Sequence, residues 1–262
     1  MDERDTVEEL AAPAGLYDPG YEHDACGIAF VADLGAGPSH RVVELALTAL
    51  ENLAHRGAFG ADPDTGDGAG ITVQLPHGLF ASVAAEANIE LPPPGAYGSG
   101  MAFLPADPAG AQAAQAAFAD LAGEEGLRIV GWRQVPVDLA TAGPGARQVA
   151  PAFSQPFVAW ADGLEPPEDL DGLELERRLY VLRRRAEKAV AGLYFPSLSC
   201  RTFVYKGMLA THQLRECFAD LRDTRLQSAL AVVHSRFSTN TFPAWPLAHP
   251  YRLVAHNGEI NT

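Results

Sequence analysis

The 262-residue chain has three cysteines, Cys26, Cys200 and Cys217, and no C-x-x-C spacing. A set so sparse and odd in number excludes a disulfide framework and a cysteine zinc site, and it fits a reducing compartment. Basic charge is also short: 19 Lys and Arg against 33 Asp and Glu give a formal net charge of −14. Nucleic acid and anionic membrane both need a basic face, so neither is an expected partner, although a local basic pocket for a small anion stays open. No apolar run approaches the length of a membrane span. The acidic opening MDERDTVEEL lacks the basic start and apolar stretch of a secretion signal. These absences place the protein in the cytoplasm. There is no internal repeat, and no low-complexity tract beyond an Ala-rich stretch after Asp107.

What remains is an ordinary globular balance, 47% hydrophobic and 20% charged, in a chain long enough to bury a sizeable core. Residues 1–20 show no sustained period and read as a loose leader. The apolar run from Cys26 to Ala32 reads as a buried strand. Apolar residues at Val42, Val43, Ala46, Leu47, Leu50, Leu53 and Ala54 then give a one-striped helix, with Ser39 as N-cap and its end before Gly57. Strands are expected at Ile71–Leu75, Tyr97–Leu104, Leu127–Val137, Phe153–Trp160, Leu198–Tyr205, Ala229–Ser235 and Leu253–His256. A short helix is expected at Leu79–Ala87, and a longer one starts at Asp107-Pro108 and runs to Leu121. Residues 161–172 read as an acidic linker. A strong helix follows from Leu173 to Ala191, closed by Gly192, with Arg183–Arg185 on its solvated face. Grouped strands that can pair antiparallel favour an α+β layered fold over βαβ winding.

Three separated segments carry polar groups suited to chemistry. The first is Glu22-His-Asp-Ala-Cys-Gly27. A cysteine at a strand start is ordinarily a small buried residue. A relay through His23 and Asp24 is discarded, because neighbours on an extended backbone rarely converge on one thiol. The second segment is His55-Arg-Gly-Ala58 followed by Asp64-Thr-Gly-Asp-Gly-Ala-Gly70. Its glycines lack the G-x-G-x-x-G pattern and precede a strand, so a turn needing positive φ is favoured over phosphate binding. The third runs from His234 through Arg236, Asn240, Trp245 and Pro246, with His249, His256 and Asn257 beyond. Chain interrupted by Pro243, Pro246 and Pro250 and crowded with polar groups is poor core material; it suits a binding loop or an irregular connection.

In this order, HDACG, HRGA with TGDGAG, HSRFSTNTFPAWP and HNGEINT resemble the motifs of the glutamate synthase large subunit. That family belongs to the class II glutamine amidotransferases, which are N-terminal-nucleophile hydrolases. The likeness is dense at both ends. Between Leu75 and Leu193 it rests on short pieces such as Glu176–Arg185. The HSRFSTNTFPAWP stretch is very specific, whereas a lone Cys-Gly is not.

The resemblance implies a four-layer αββα sandwich of antiparallel sheets, incomplete at the C-terminus. It divides the chain into a propeptide, 1–25, and a truncated amidotransferase domain, 26–262. Cys26 becomes the nucleophile once cleavage frees its α-amino group. Such an amine has a reference pKa of roughly 7.7–8.0 and serves as a base near neutral pH. Asn257 and the backbone N–H of Gly258 are implied as oxyanion donors, and Arg236 as the grip on the substrate α-carboxylate. Phe237, Ser238 and Thr239 sit in the same substrate loop. Asn240 stands where some relatives carry histidine. Arg56 matches an arginine that orders the site, and a helix-end cation is its plain alternative. His234 and His256 are read as structural. The family's acidic residue for the substrate α-amino group would lie beyond Thr262.

The implied activity is glutamine hydrolysis, with the ammonia used for reductive synthesis of glutamate from 2-oxoglutarate. No cofactor or metal is expected in this segment. FMN, an iron–sulfur cluster and NAD(P)H or ferredoxin as electron donor belong to the full-length protein. Expected partners are L-glutamine, the remaining domains of the large subunit and the small subunit. Two alternatives stay open: a non-catalytic structural or glutamine-sensing module with its leader uncut, and the glutaminase part of another class II amidotransferase.

Overall fold

The computed structural model describes residues 27–35, 37–56, 64–163, 173–235 and 243–251. The strands are β1 (Ile28–Ala32), β2 (Ala69–Gln74), β3 (Tyr97–Ser99), β4 (Ala102–Leu104), β5 (Leu127–Gln134), β6 (Ala152–Trp160), β7 (Thr202–Gly207) and β8 (Leu230–Ser235). The helices are α1 (His40–Asn52), α2 (His77–Glu86), α3 (Pro108–Glu124), α4 (Pro144–Gln148), α5 (Glu174–Ala189) and α6 (Gln213–Cys217). Short 3-10 turns lie at Leu53–Arg56, Leu139–Thr141, Ala219–Arg222 and Trp245–Leu247.

Local chemistry sets several of these boundaries. The Asp107 carboxylate accepts from the Gly110 N–H at 2.6 Å while Pro108 occupies the first helical turn, so α3 starts where expected. The helix expected to reach Ala191 and close at Gly192 ends instead at Ala189, where Val190 turns extended, and Gly192, at φ +78°, lies in the turn closed by the Leu193 N–H on the Val190 carbonyl. Ser39 does precede α1, but its side chain makes no cap bond; its backbone instead bridges to Ser228. The arginines of α5 are not simply solvated. Arg185 pairs with Glu124 and Glu125 at the end of α3, and Arg183 donates to the Phe195 carbonyl.

Sheet one is wholly antiparallel in the order β1-β8-β2-β7. Alternation along its strands puts Ile71, Val73, Phe203, Tyr205, Ala231 and Val233 on one face, where they join the buried stripe of α1, Val42, Val43, Ala46, Leu47 and Leu50, in one core. The expectation of a buried first strand is corrected here. β1 is an edge strand covered on one face only, and Ile28 and Phe30, on the other face, are 48% and 73% exposed.

In sheet two, β6 is flanked by β5 on one edge and by β3 and β4 on the other. The single strand expected over Tyr97–Leu104 is two strands, because the shared register of β3 and β4 sets Gly100 opposite Pro156 of β6, which has no N–H to give the ladder. The segment Tyr194–Ser199 bridges β4 and β3 at Phe103 and Ser99, and the strand expected from Leu198 starts at Thr202. On β6, Phe153, Phe157 and Ala159 belong to the core shared with sheet one, while Val158 faces α3 and α5 with Phe118, Leu179 and Leu182. The result is the expected α+β sandwich of two antiparallel sheets.

A buried polar network ties the sheets together. Arg133 on β5 forms a two-pronged pair with Asp220 (2.7 and 2.8 Å), which also accepts from the Tyr205 hydroxyl of β7. Arg133 donates further to Gln155, whose amide donates to Ser99. Removing one member of such a pair strands a buried charge. Asp220→Ala is therefore expected to lower the unfolding free energy by about 3–5 kcal/mol, measured by urea denaturation. Replacing both Arg133 and Asp220 with apolar residues of similar volume should recover much of the loss.

Candidate functional site

The register of sheet one brings four strand ends to the same edge. Ile28 lies opposite His234, Ala69 opposite both Ser235 and Gly207, and Gly70 opposite both His234 and Lys206. The start of β1, the end of β8, the start of β2 and the end of β7 are therefore neighbours. The first three of these ends adjoin the HDACG, HSRFSTNTFPAWP and TGDGAG motifs. Ser235, the residue before Arg236, donates its N–H to the carbonyl of Gly27, the residue after Cys26, at 2.6 Å. A Cβ on Gly27 would collide with the Ser235 carbonyl oxygen, so only glycine permits this approach. The 3-10 turn that ends at Arg56 packs near β8.

The loop Thr65–Gly70 is built for packing. Gly66 sits against the backbone of Leu209 and Ala210, and Gly70 against the His249 carbonyl and Pro250, with no room for a side chain at either. Gly68 alone of the three needs a positive φ, +146°. Gln213 holds the loop by donating to the Asp64 carbonyl at 2.9 Å. The loop leads into β2, so the choice of a turn over a phosphate cradle stands, with close approach added as a second reason for glycine.

The Pro-interrupted third segment splits in two. Trp245 is 2% exposed; its ring packs against Phe103 and Phe153, and its indole N–H donates to the Ala146 carbonyl at 3.0 Å. It is a core residue, contrary to its reading as loop material, because Gly207 leaves space for the ring. His234 is buried, with its ring centroid 4.5 Å from that of His249, which in turn lies 4.6 Å from Tyr251. That stack agrees with a structural role for His234. Cys26, Arg236, Phe237, Ser238, Thr239, Asn240, His256, Asn257 and Gly258 lie outside the described residues, as do the strand expected at Leu253–His256, most of the acidic linker and the side chain of Arg56.

The other two cysteines are poor nucleophiles. Cys200 is raised to about 12, first by burial and then by its S–H bond to Glu176, and Cys217 is raised to about 12 by burial. Among the described residues, no group of three His, Cys, Asp or Glu could hold a metal ion, and no helix is long and apolar enough to cross a membrane.

A family model, the class-II glutamine amidotransferases, matches residues 26–262. The chain belongs to this family. The glutamate synthase [NADPH] large chain of Bacillus subtilis (strain 168) is 43% identical over 261 residues, covering 98% of this chain and 17% of the relative. The ferredoxin-dependent glutamate synthase 2 of Synechocystis sp. is 44% identical over 242 residues, covering 92% of this chain and 15% of the relative. The glutamate synthase [NADH] of Schizosaccharomyces pombe is 41% identical over 256 residues, covering 97% and 12%. The chain thus spans 12–17% of the length of these curated relatives. Gly27 and Ser235, which respectively follow Cys26 and precede Arg236 directly in sequence, sit at the adjoining ends of β1 and β8.

The residue that sequence reasoning passed over at this edge is Lys206. Its signal was a lone cation inside the apolar run Phe203–Met208. It is fully buried, and burial, reinforced by the nearby Arg183 and opposed by Glu187, lowers it to about 7. Two expectations follow for this class II domain. Gly27→Ala should push the start of β1 away from Ser235 and lower the unfolding free energy by about 1–3 kcal/mol, read by urea denaturation. Between pH 7 and the ordinary lysine value of 10.5, the unfolded chain holds a proton on this amine that the folded chain lacks. Stability should therefore rise with pH across that window. In Lys206→Met that rise should flatten, read by denaturant titrations at stepped pH.

Proposed function

We propose that this chain is the glutamine-hydrolysing part of a glutamate synthase, with Cys26 as its N-terminal nucleophile after removal of residues 1–25. The observation that carries the reading is the joining of Gly27 to Ser235, which sets the exits toward Cys26 and Arg236 side by side. The family match supports it by beginning at residue 26. Relatives named for NADPH, ferredoxin and NADH all share this segment, which suits a step that precedes the choice of electron donor.

The chemistry needs few groups. The free α-amine of Cys26 takes the thiol proton, directly or through water, and the thiolate attacks the side-chain amide carbon of glutamine. The Asn257 amide and the Gly258 N–H donate to the oxygen that becomes negative. Collapse of the tetrahedral species, with a proton delivered to nitrogen, releases ammonia and leaves a glutamyl thioester on Cys26. Water then displaces the sulfur and releases glutamate. Arg236 holds the substrate α-carboxylate through paired N–H bonds, Phe237, Ser238 and Thr239 shape the pocket, and Arg56 orders the site. In the uncut chain the Cys26 nitrogen is an amide without a basic lone pair, so the precursor is inert.

In the whole enzyme the ammonia adds to 2-oxoglutarate. FMN, an iron–sulfur cluster and the electron donor serve that step in regions outside this segment, with the small subunit as a further partner in relatives that have one. Compartment follows the host protein; a cytoplasmic location is proposed here.

The test joins intact mass with an electrophilic glutamine analogue. A species beginning at Cys26 should form, and the analogue should label Cys26 alone. Asn257→Ala should slow turnover by about 10²–10³-fold. A cleaved chain left unlabelled, or labelled at Cys200 or Cys217, would overturn the proposal, and a chain that keeps Met1–Ala25 would point to a non-catalytic module.

A further inference from the structure

Lys206 occupies an unusual position. It is one of two lysines in the chain, on the edge strand β7, and no part of it reaches solvent. Its ammonium nitrogen donates to the Tyr194 hydroxyl at 3.0 Å and to the Pro246 carbonyl at 2.9 Å. It also lies 4.2 Å from the centroid of the Tyr251 ring and 5.1 Å from that of Tyr194. Tyr194 is fixed to sheet two through its backbone exchange with Phe103. Pro246 and Tyr251 belong to the segment Trp245–Tyr251, which ends six residues before Asn257.

One amine thus joins three pieces: β7 of sheet one, the Tyr194 strip of sheet two, and the chain running toward the H-N-G motif. Gly70, opposite Lys206 in the register, lets the His249 carbonyl and Pro250 lie flat across the sheet beside it. Trp245 and Tyr251 bracket the anchor. The Trp245 ring fills the space over Gly207, and the Tyr251 hydroxyl donates back to the Leu247 carbonyl at 3.1 Å.

We propose that Lys206 is a positioning residue for glutamine hydrolysis, tethering the Trp245–Tyr251 segment that leads to the oxyanion donors. The assignment rests on the function proposed above. The tether tightens as the amine loses its proton. Burial holds the closed amine at about 7, whereas an amine released to water returns to its ordinary 10.5, so protonation favours opening. The groups facing it are Tyr194 and Tyr251, with His249 from the tethered segment, His234 of β8 across Gly70, and Arg183 and Glu187 of α5.

Amide hydrogen exchange in the full chain tests the tether independently of activity. At about pH 8, Lys206→Met should raise the opening constant of the Trp245–Tyr251 peptide about tenfold, the equivalent of two modest hydrogen bonds. Exchange in β2 and β8 should not change. In the unmutated protein, opening corrected for intrinsic exchange should fall severalfold per pH unit above pH 7, bounded by about tenfold for one proton. That slope should vanish in Lys206→Met, which keeps His234 and His249. Tyr251→Leu, which leaves the lysine in place, should loosen the same peptide. With the glutamine analogue, Lys206→Met should lower the maximal labelling rate of Cys26 and leave the half-saturating concentration unchanged. Equal exchange in Lys206→Met and the unmutated protein, loosening spread equally over β2 and β8, or a pH slope that survives the substitution would overturn the proposal. If the unmutated chain is not labelled at all, the functional reading fails while the exchange data still decide the tether.

Discussion

The antiparallel register of sheet one decides where the HDACG, TGDGAG and HSRF motifs adjoin the scaffold. Side chains alternate along a strand, so a slip of one residue of β1 against β8 would turn Ala29 and Val31 off the core and separate Gly27 from Ser235. Two things fix that register. One is the apolar face made by Ile71, Val73, Phe203, Tyr205, Ala231 and Val233, which has only one burial solution against α1 and sheet two. The other is a pair of positions where a side chain cannot fit, Gly27 against Ser235 and Gly70 against His249. Apolar burial selects the register, and the glycines let the backbone close at the edge where the motifs emerge.

The two sheets are held by different physics at different places. Aromatic packing through Phe80, Phe157 and Phe203 meets edge to face and adds apolar burial with a modest angular preference. The Arg133–Asp220–Tyr205 network is directional, and each member is costly to leave unpaired, so it sets the relative placement of β5 and β7. Lys206 adds a third kind of link. Its two hydrogen bonds reach across the sheets and onto the Pro-containing segment that neither sheet can hold by ladder bonds. Prolines at 243, 246 and 250 remove the donors a strand would need, which leaves side-chain bonds and ring packing to fix that chain.

Much of the scaffold was legible in the sequence because its causes are local. The α1 stripe and the Asp107-Pro108 start each follow from residues a few positions apart. What was hidden depended on distant partners. The break between β3 and β4 falls opposite Pro156 of β6, a partner far along the chain that lacks the ladder's N–H. The exposure of Phe30 follows from β1 being an edge strand, which its apolar run does not disclose. Trp245 looked like loop material because its neighbours are prolines, yet the space over Gly207 makes it core. At the site, the distribution is similar. Composition and spacing left Cys26 and the third segment undecided, and the resemblance of four ordered motifs supplied their roles. Lys206 belongs to none of those motifs, so only its surroundings in the fold expose it.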